Sequence, residues 1–182
     1  MHRYFSRVPL HTRCHTLAPN RTTSKQISRL YNGEPAAWLR LVDRWSPRLY
    51  SYIVYNAVSE AEAQKLIYLI FAEAIQAIVG SLRVANLTVL VFSIAHHHIL
   101  HQRRRHTNPM LPPQPAVADA AAKEERQKAD FLHTFYQFAP EVQQILLLRY
   151  LCGVSLTEIA QIVGQPEATL TKTIAGAAQT LH

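Results

Sequence analysis

The sequence predicts an all-α protein of two small helical domains joined by a Pro-rich linker, the second domain carrying a helix-turn-helix. Apolar residues recur at i, i+3, i+4 and i+7 over stretches of helical length. Two S-x-x-E capping boxes, Ser59 to Glu62 and Ser155 to Glu158, stand directly before such stretches. Four prolines, Pro109, Pro112, Pro113 and Pro115, gather between the two halves, and 5 glycines in 182 residues are too few for a fold of many tight turns. The expected division is a basic tail at 1–29, a helical domain at 30–105, a linker at 106–125 and a second domain at 126–182.

The tail holds Arg3, Arg7, Arg13, Arg21, Lys25 and Arg29 and no acid. It therefore carries most of the net charge of +7, and the other 153 residues carry 13 basic against 12 acidic side chains. The charge of the whole chain is thus poor evidence for a nucleic-acid surface on the folded body. The tail has no apolar block, so it is not a secretory signal. It reads as an unstructured arm, as a start codon placed too early, or as a transit peptide.

Order is expected from about Gln26. Pro35 suits the first turn of a helix over Ala37, Leu39, Leu41 and Val42, and Pro47 reopens a second helix through Tyr55. Asn56 to Val58 reads as a turn. The third helix starts at the Ser59 box, runs through Ala63, Leu66, Ile67, Ile70, Ala74 and Ile78, and closes at Gly80. A fourth spans Asn86 to Arg105. Its first half is apolar and its second half is His-rich and Arg-rich. Helix resumes by about Lys123 after the linker. A further helix follows Pro140 and ends at Gly153. The Ser155 box then opens a short helix, Gly164-Gln165 turns the chain, and Pro166 opens a last helix to about Leu181. Short helix, tight Gly turn and second helix form the helix-turn-helix layout.

Several classes are excluded or disfavoured. The longest apolar run, Leu87 to Ala95, is far short of a membrane span. Cys14 and Cys152 make no disulfide framework or metal spacing and read as reduced thiols, which points to the cytoplasm. No Gly-rich phosphate loop, HExxH or GxSxG occurs, so no enzyme and no cofactor is expected. His97 and His101 share a helix face, but no Cys, Asp or Glu on that helix completes a tetrahedral set, so no metal is expected.

The stretch Phe138 to Ser155, FAPEVQQILLLRYLCGVS, with LTEIAQIVG after it, resembles the start of region 4 in extracytoplasmic-function (ECF) sigma factors of the sigma-70 family. SPRLYSY at 46–52, and FSIA at 92–95 followed by Arg103-Arg104-Arg105, are similar to the family's region 2. The ordered succession of region 2, linker and region 4 covers about residues 30 to 182.

This resemblance implies a transcription initiation factor with core RNA polymerase and promoter DNA as partners, and an anti-sigma factor as a further one. It places polymerase binding at Lys65, Tyr68, Leu69 and Phe71. It places DNA contact at His97, His101, Arg103, Arg104 and Arg105, and in the reading helix at Thr169, Thr171, Lys172 and Thr173. The chain departs from the family at two of these places. The acidic and amide cluster of the polymerase-binding helix is replaced by Lys, Tyr and Leu. The reading helix has one cation, and residues 130–182 hold Arg149 and Lys172 against Asp130, Glu141, Glu158 and Glu167. A run of three arginines at a helix end is also what the helix macrodipole favours at a solvated surface. These departures keep open a second class, a sigma-like module that binds protein and has lost promoter reading.

Overall fold

The computed structural model describes residues 24–56, 60–80, 84–105 and 131–181, and among them every regular element is helical. The elements are α1 (Ser24–Tyr31), α2 (Pro35–Tyr55), α3 (Glu60–Val79), α4 (Leu87–Arg105), a helical stretch at 131–137, α5 (Pro140–Leu146), a π turn (Leu147–Leu151), α6 (Leu156–Val163) and α7 (Glu167–Leu181). Most of the basic tail, Ser59 of the first capping box, the linker at 106–125 and the resumption of helix near Lys123 lie outside the described residues.

Gly33 takes a positive φ of 71° and turns α1 into α2. Tyr31 at the end of α1 accepts a hydrogen bond from the Val84 amide at 2.9 Å, which ties α1 to the entry of α4. One helix runs through Pro47, where the sequence suggested two. An interior proline leaves the carbonyl four residues back without a donor and costs about 3 kcal/mol. Burial outweighs that cost. Ala37, Leu41 and Trp45 before the proline, and Leu49, Tyr52 and Ile53 after it, all enter one core, and a break would expose one set. The Ser46 hydroxyl donates to the Val42 carbonyl and the Ser51 hydroxyl to the Pro47 carbonyl, bracketing the irregular turn. Asn56 closes α2, its side chain donating to the Tyr52 carbonyl at 2.7 Å.

Asn86 caps α4: its Oδ1 accepts from the Thr88 amide at 2.8 Å. Leu87, Val91, Phe92, Ala95 and Ile99 recur along the buried side of α4. Trp45 and Tyr52 meet Phe92 edge-on at centroid distances of 5.7 and 5.6 Å, the aromatic centre of the first region.

In the second region Pro140 opens α5. The helix then widens into a π turn, closed by the Cys152 amide donating to the Leu147 carbonyl. Gly153, at φ 65°, ends it. The Ser155 box forms as the sequence predicts: the Glu158 amide donates to Ser155 Oγ, and the Ser155 amide donates to the Glu158 carboxylate. Gly164, at φ 68°, makes the tight turn, and α7 follows. Buried residues of both regions join one apolar cluster, with α2 against the π turn and α4 against α6.

Candidate functional site

The residues singled out in the sequence fall on three surfaces and on the seam between the regions. The first surface is the outer side of α3. Tyr68 (64% exposed), Leu69 (44%), Ile75 (37%) and Val79 (66%) form an apolar outward strip, with Lys65 exposed at its start. Phe71 does not share it. At 6% exposure it packs inward with Ile67, Ile70 and Ala74 and is a core residue. The spacing carried the signal: 63, 66, 67, 70, 71, 74 and 78 form one helical stripe, and Phe71 belongs to it. Ile75 and Val79 were missed by the sequence reading, and the same periodicity, continued along the outer side, would have found them.

The second surface is the C-terminal half of α4. His97 and His101 are exposed, one turn apart. His98 faces Glu73 on α3, Nε2 to Oε1 at 2.8 Å. His96 turns inward, its Nδ1 3.5 Å from the Tyr52 hydroxyl. Burial is the main reason its pKa lies below the usual imidazole value. The Gln144 amide beside it pushes the other way and His97 adds to the lowering. Phe92, at the start of the FSIA motif, is fully buried.

The third surface is α7. Thr169, Thr171 and Lys172 are exposed and Thr173 is half-buried, while Leu170 and Ala177 hold the helix to the core. The Thr171 hydroxyl donates to the Glu167 carbonyl at 2.9 Å and the Thr173 hydroxyl to the Thr169 carbonyl at 3.0 Å. Both hydroxyl protons are thus spent on the helix itself, and in this rotamer the oxygens are left as acceptors. That leaves Lys172 as the cation of this face.

Polar bonds also cross the apolar seam between the two regions. Arg103 Nη2 donates to Gln143 Oε1 at 3.1 Å. Asn86 Nδ2 donates to Glu158 Oε1 at 2.8 Å, and the Tyr136 hydroxyl donates to the Tyr55 carbonyl at 3.5 Å. The Cys152 thiol donates to the Arg48 carbonyl at 3.8 Å, and burial pushes the pKa of that thiol far up. Gln144 is fully buried against His96, yet neither of its amide atoms makes a well-formed hydrogen bond. Burial also draws the Arg103 guanidinium below its ordinary value, with Tyr52, Glu141 and Tyr136 acting against the shift. Arg104 and Arg105 continue α4, and their side chains lie outside the described residues.

No family model matches the chain. It is 27% identical over 155 residues to the ECF RNA polymerase sigma factor BldN of Streptomyces coelicolor, an alignment covering 79% of this chain and 58% of that protein. Its fold matches that of CnrH, solved in complex with the cytosolic domain of CnrY, at a TM-score of 0.67 and 17% identity. That match covers 86% of this chain and 92% of CnrH. The chain thus resembles an ECF sigma factor in sequence and CnrH in fold. A solved RsbN–BldN complex also aligns, at 24% identity and a TM-score of 0.38, over 85% of this chain and 96% of that one. The likeness to CnrH covers both regions and carries the all-α, two-region fold. The chain spans 58% of the length of BldN. No helix among the described residues is long and apolar enough to cross a membrane.

Proposed function

We propose that this sigma-like chain is a transcription initiation factor that binds core RNA polymerase through the outer side of α3 and meets promoter DNA through α4 and α7. The supporting observation is the apolar strip of Tyr68, Leu69, Ile75 and Val79, left exposed in the helix that resembles the family's polymerase-binding segment. A soluble protein leaves a contiguous apolar strip outward where another protein covers it. The replacement of acidic and amide residues by Lys65, Tyr68 and Leu69 reverses one charge and makes the rest of such a contact more apolar. The chain acts without an active site of its own, in the cytoplasm. The capture of CnrH in complex with the cytosolic domain of CnrY supports a further protein partner of the anti-sigma kind.

A second reading has its own observation. On α7 one lysine stands among threonines whose hydroxyl protons are engaged, a weak set for phosphate contact. On that reading the chain is a sigma-like interaction protein without promoter reading. Co-purification with core RNA polymerase, followed by transcription from a genomic fragment library, separates the two. Core binding with initiation supports the first reading. Core binding without initiation supports the second, and absence of core binding defeats the proposed role of α3.

A further inference from the structure

Gln143 is a built acceptor. It is buried, and its Nε2 donates to two carbonyls, that of Phe138 at 2.8 Å and that of Tyr136 at 3.2 Å. Carbonyls only accept, so these two bonds fix which end of the amide is nitrogen and leave Oε1 aimed at Arg103. The guanidinium donates to that oxygen at 3.1 Å from α4, 40 residues away in the chain. A phosphate oxygen would make the same kind of contact with Arg103. The acceptor belongs to the second region and the donor to the first, so the seam decides which of the two Arg103 meets. The other bonds across the seam, Asn86 to Glu158, Tyr136 to the Tyr55 carbonyl and Cys152 to the Arg48 carbonyl, are spaced polar contacts around the apolar packing of α2 on the π turn and α4 on α6. The buried Gln144 amide of the second region lies beside His96 of the first.

We propose that the closed seam is a self-blocking contact: Gln143 occupies Arg103 in place of a nucleic-acid phosphate, and α4 uses Arg103 on DNA when the second region moves away. The inference rests on the reading of α4 as a nucleic-acid surface. Its test uses a non-promoter duplex and no polymerase, so failure of the latch leaves the polymerase experiment untouched, and the reverse holds.

The test measures binding of the full chain to a labelled 20-base-pair duplex across a salt series. The wild type is compared with Arg103→Ala, with the volume-matched Gln143→Met and with the double variant. A phosphate contact adds about 0.9 to the slope of log K against log salt on duplex DNA. In a latched protein Arg103→Ala leaves the wild-type slope unchanged, Gln143→Met steepens it by up to about 0.9, and adding Arg103→Ala to Gln143→Met removes the gain. Tyr136→Phe, which deletes one hydroxyl of the seam and leaves Gln143 in place, steepens the slope in the same direction by less and serves if Gln143→Met fails to fold. A shallower slope for Arg103→Ala alone shows Arg103 already free and overturns the proposal. So does an unchanged slope in both Gln143→Met and Tyr136→Phe.

Discussion

Breaking the Asn86–Glu158 bond measures how far the two regions fold as one. The amide of Asn86, at the cap of α4, donates to a carboxylate of the Ser155 box 72 residues away at 2.8 Å. A hydrogen bond to a charged group contributes about 1.5–3 kcal/mol when sheltered. Both residues are half-exposed, which lowers the expectation to about 1 kcal/mol. Asn86→Ala alone also removes the α4 cap, and Glu158→Ala alone also removes half of a capping box, each adding about 1 kcal/mol of local loss. A double-mutant cycle cancels those local terms, so urea unfolding of the two single variants and the double variant should return a coupling near 1 kcal/mol. Hydrogen bonds from Ser155, Asn86 and Thr88 outweigh the effect of burial and hold the Glu158 carboxyl below its ordinary value of 4.5. The coupling is therefore complete above that ordinary value and fades as pH falls through the lower folded value. A coupling within about 0.3 kcal/mol of zero at neutral pH would refute the idea that this bond joins the regions energetically.

Three further outcomes are expected. Phe92→Ala should destabilise the fold by about 3–5 kcal/mol in urea unfolding, since the ring is fully buried between Trp45 and Tyr52. Tyr68→Ser with Val79→Ser should change stability by less than about 1 kcal/mol while reducing core polymerase capture, because both side chains lie outward on α3. His96, held neutral mainly by burial, contributes stability that is complete above its ordinary value of 6.5 and is lost as pH falls toward its lower folded value. Thermal unfolding from pH 8 to 5 should show that loss, and His96→Gln should flatten it.

Local chemistry was legible in the sequence where a few neighbouring residues decide the outcome. Ser155 and Glu158 cap α6 as read, Gly164 adopts the left-handed turn, and α7 starts at Glu167, one residue after the Pro166 expected to open it. The fold class followed from such signals together with apolar periodicity, whereas the sigma-like succession came from the resemblance of the motifs at 46–52, 92–95 and 138–164. Pro47 was read as a break because propensity is local, whereas the burial that overrides it comes from Trp45 and Leu49 reaching the same distant core. Phe71 was assigned outward by its position in a motif, and the period of its own helix places it inward. The seam was illegible. Its bonds join residues 40, 72, 81 and 104 positions apart, and no pattern in the chain announces that Gln143 meets Arg103 or that Cys152 meets Arg48.

Cys152 also sets a clock. Its thiol is fully buried, and burial keeps it protonated at ordinary pH, whereas the thiolate is the form that reacts with disulfide reagents. Its partner, the Arg48 carbonyl, lies on the opposite side of the seam. In a Cys14→Ser background this leaves one thiol per molecule, and it can be labelled when the second region lifts from α2. At high reagent concentration, where every opening leads to capture, the labelling rate becomes the rate of opening itself. Cys152 thus serves as a stopwatch for a motion that would otherwise need an introduced probe site.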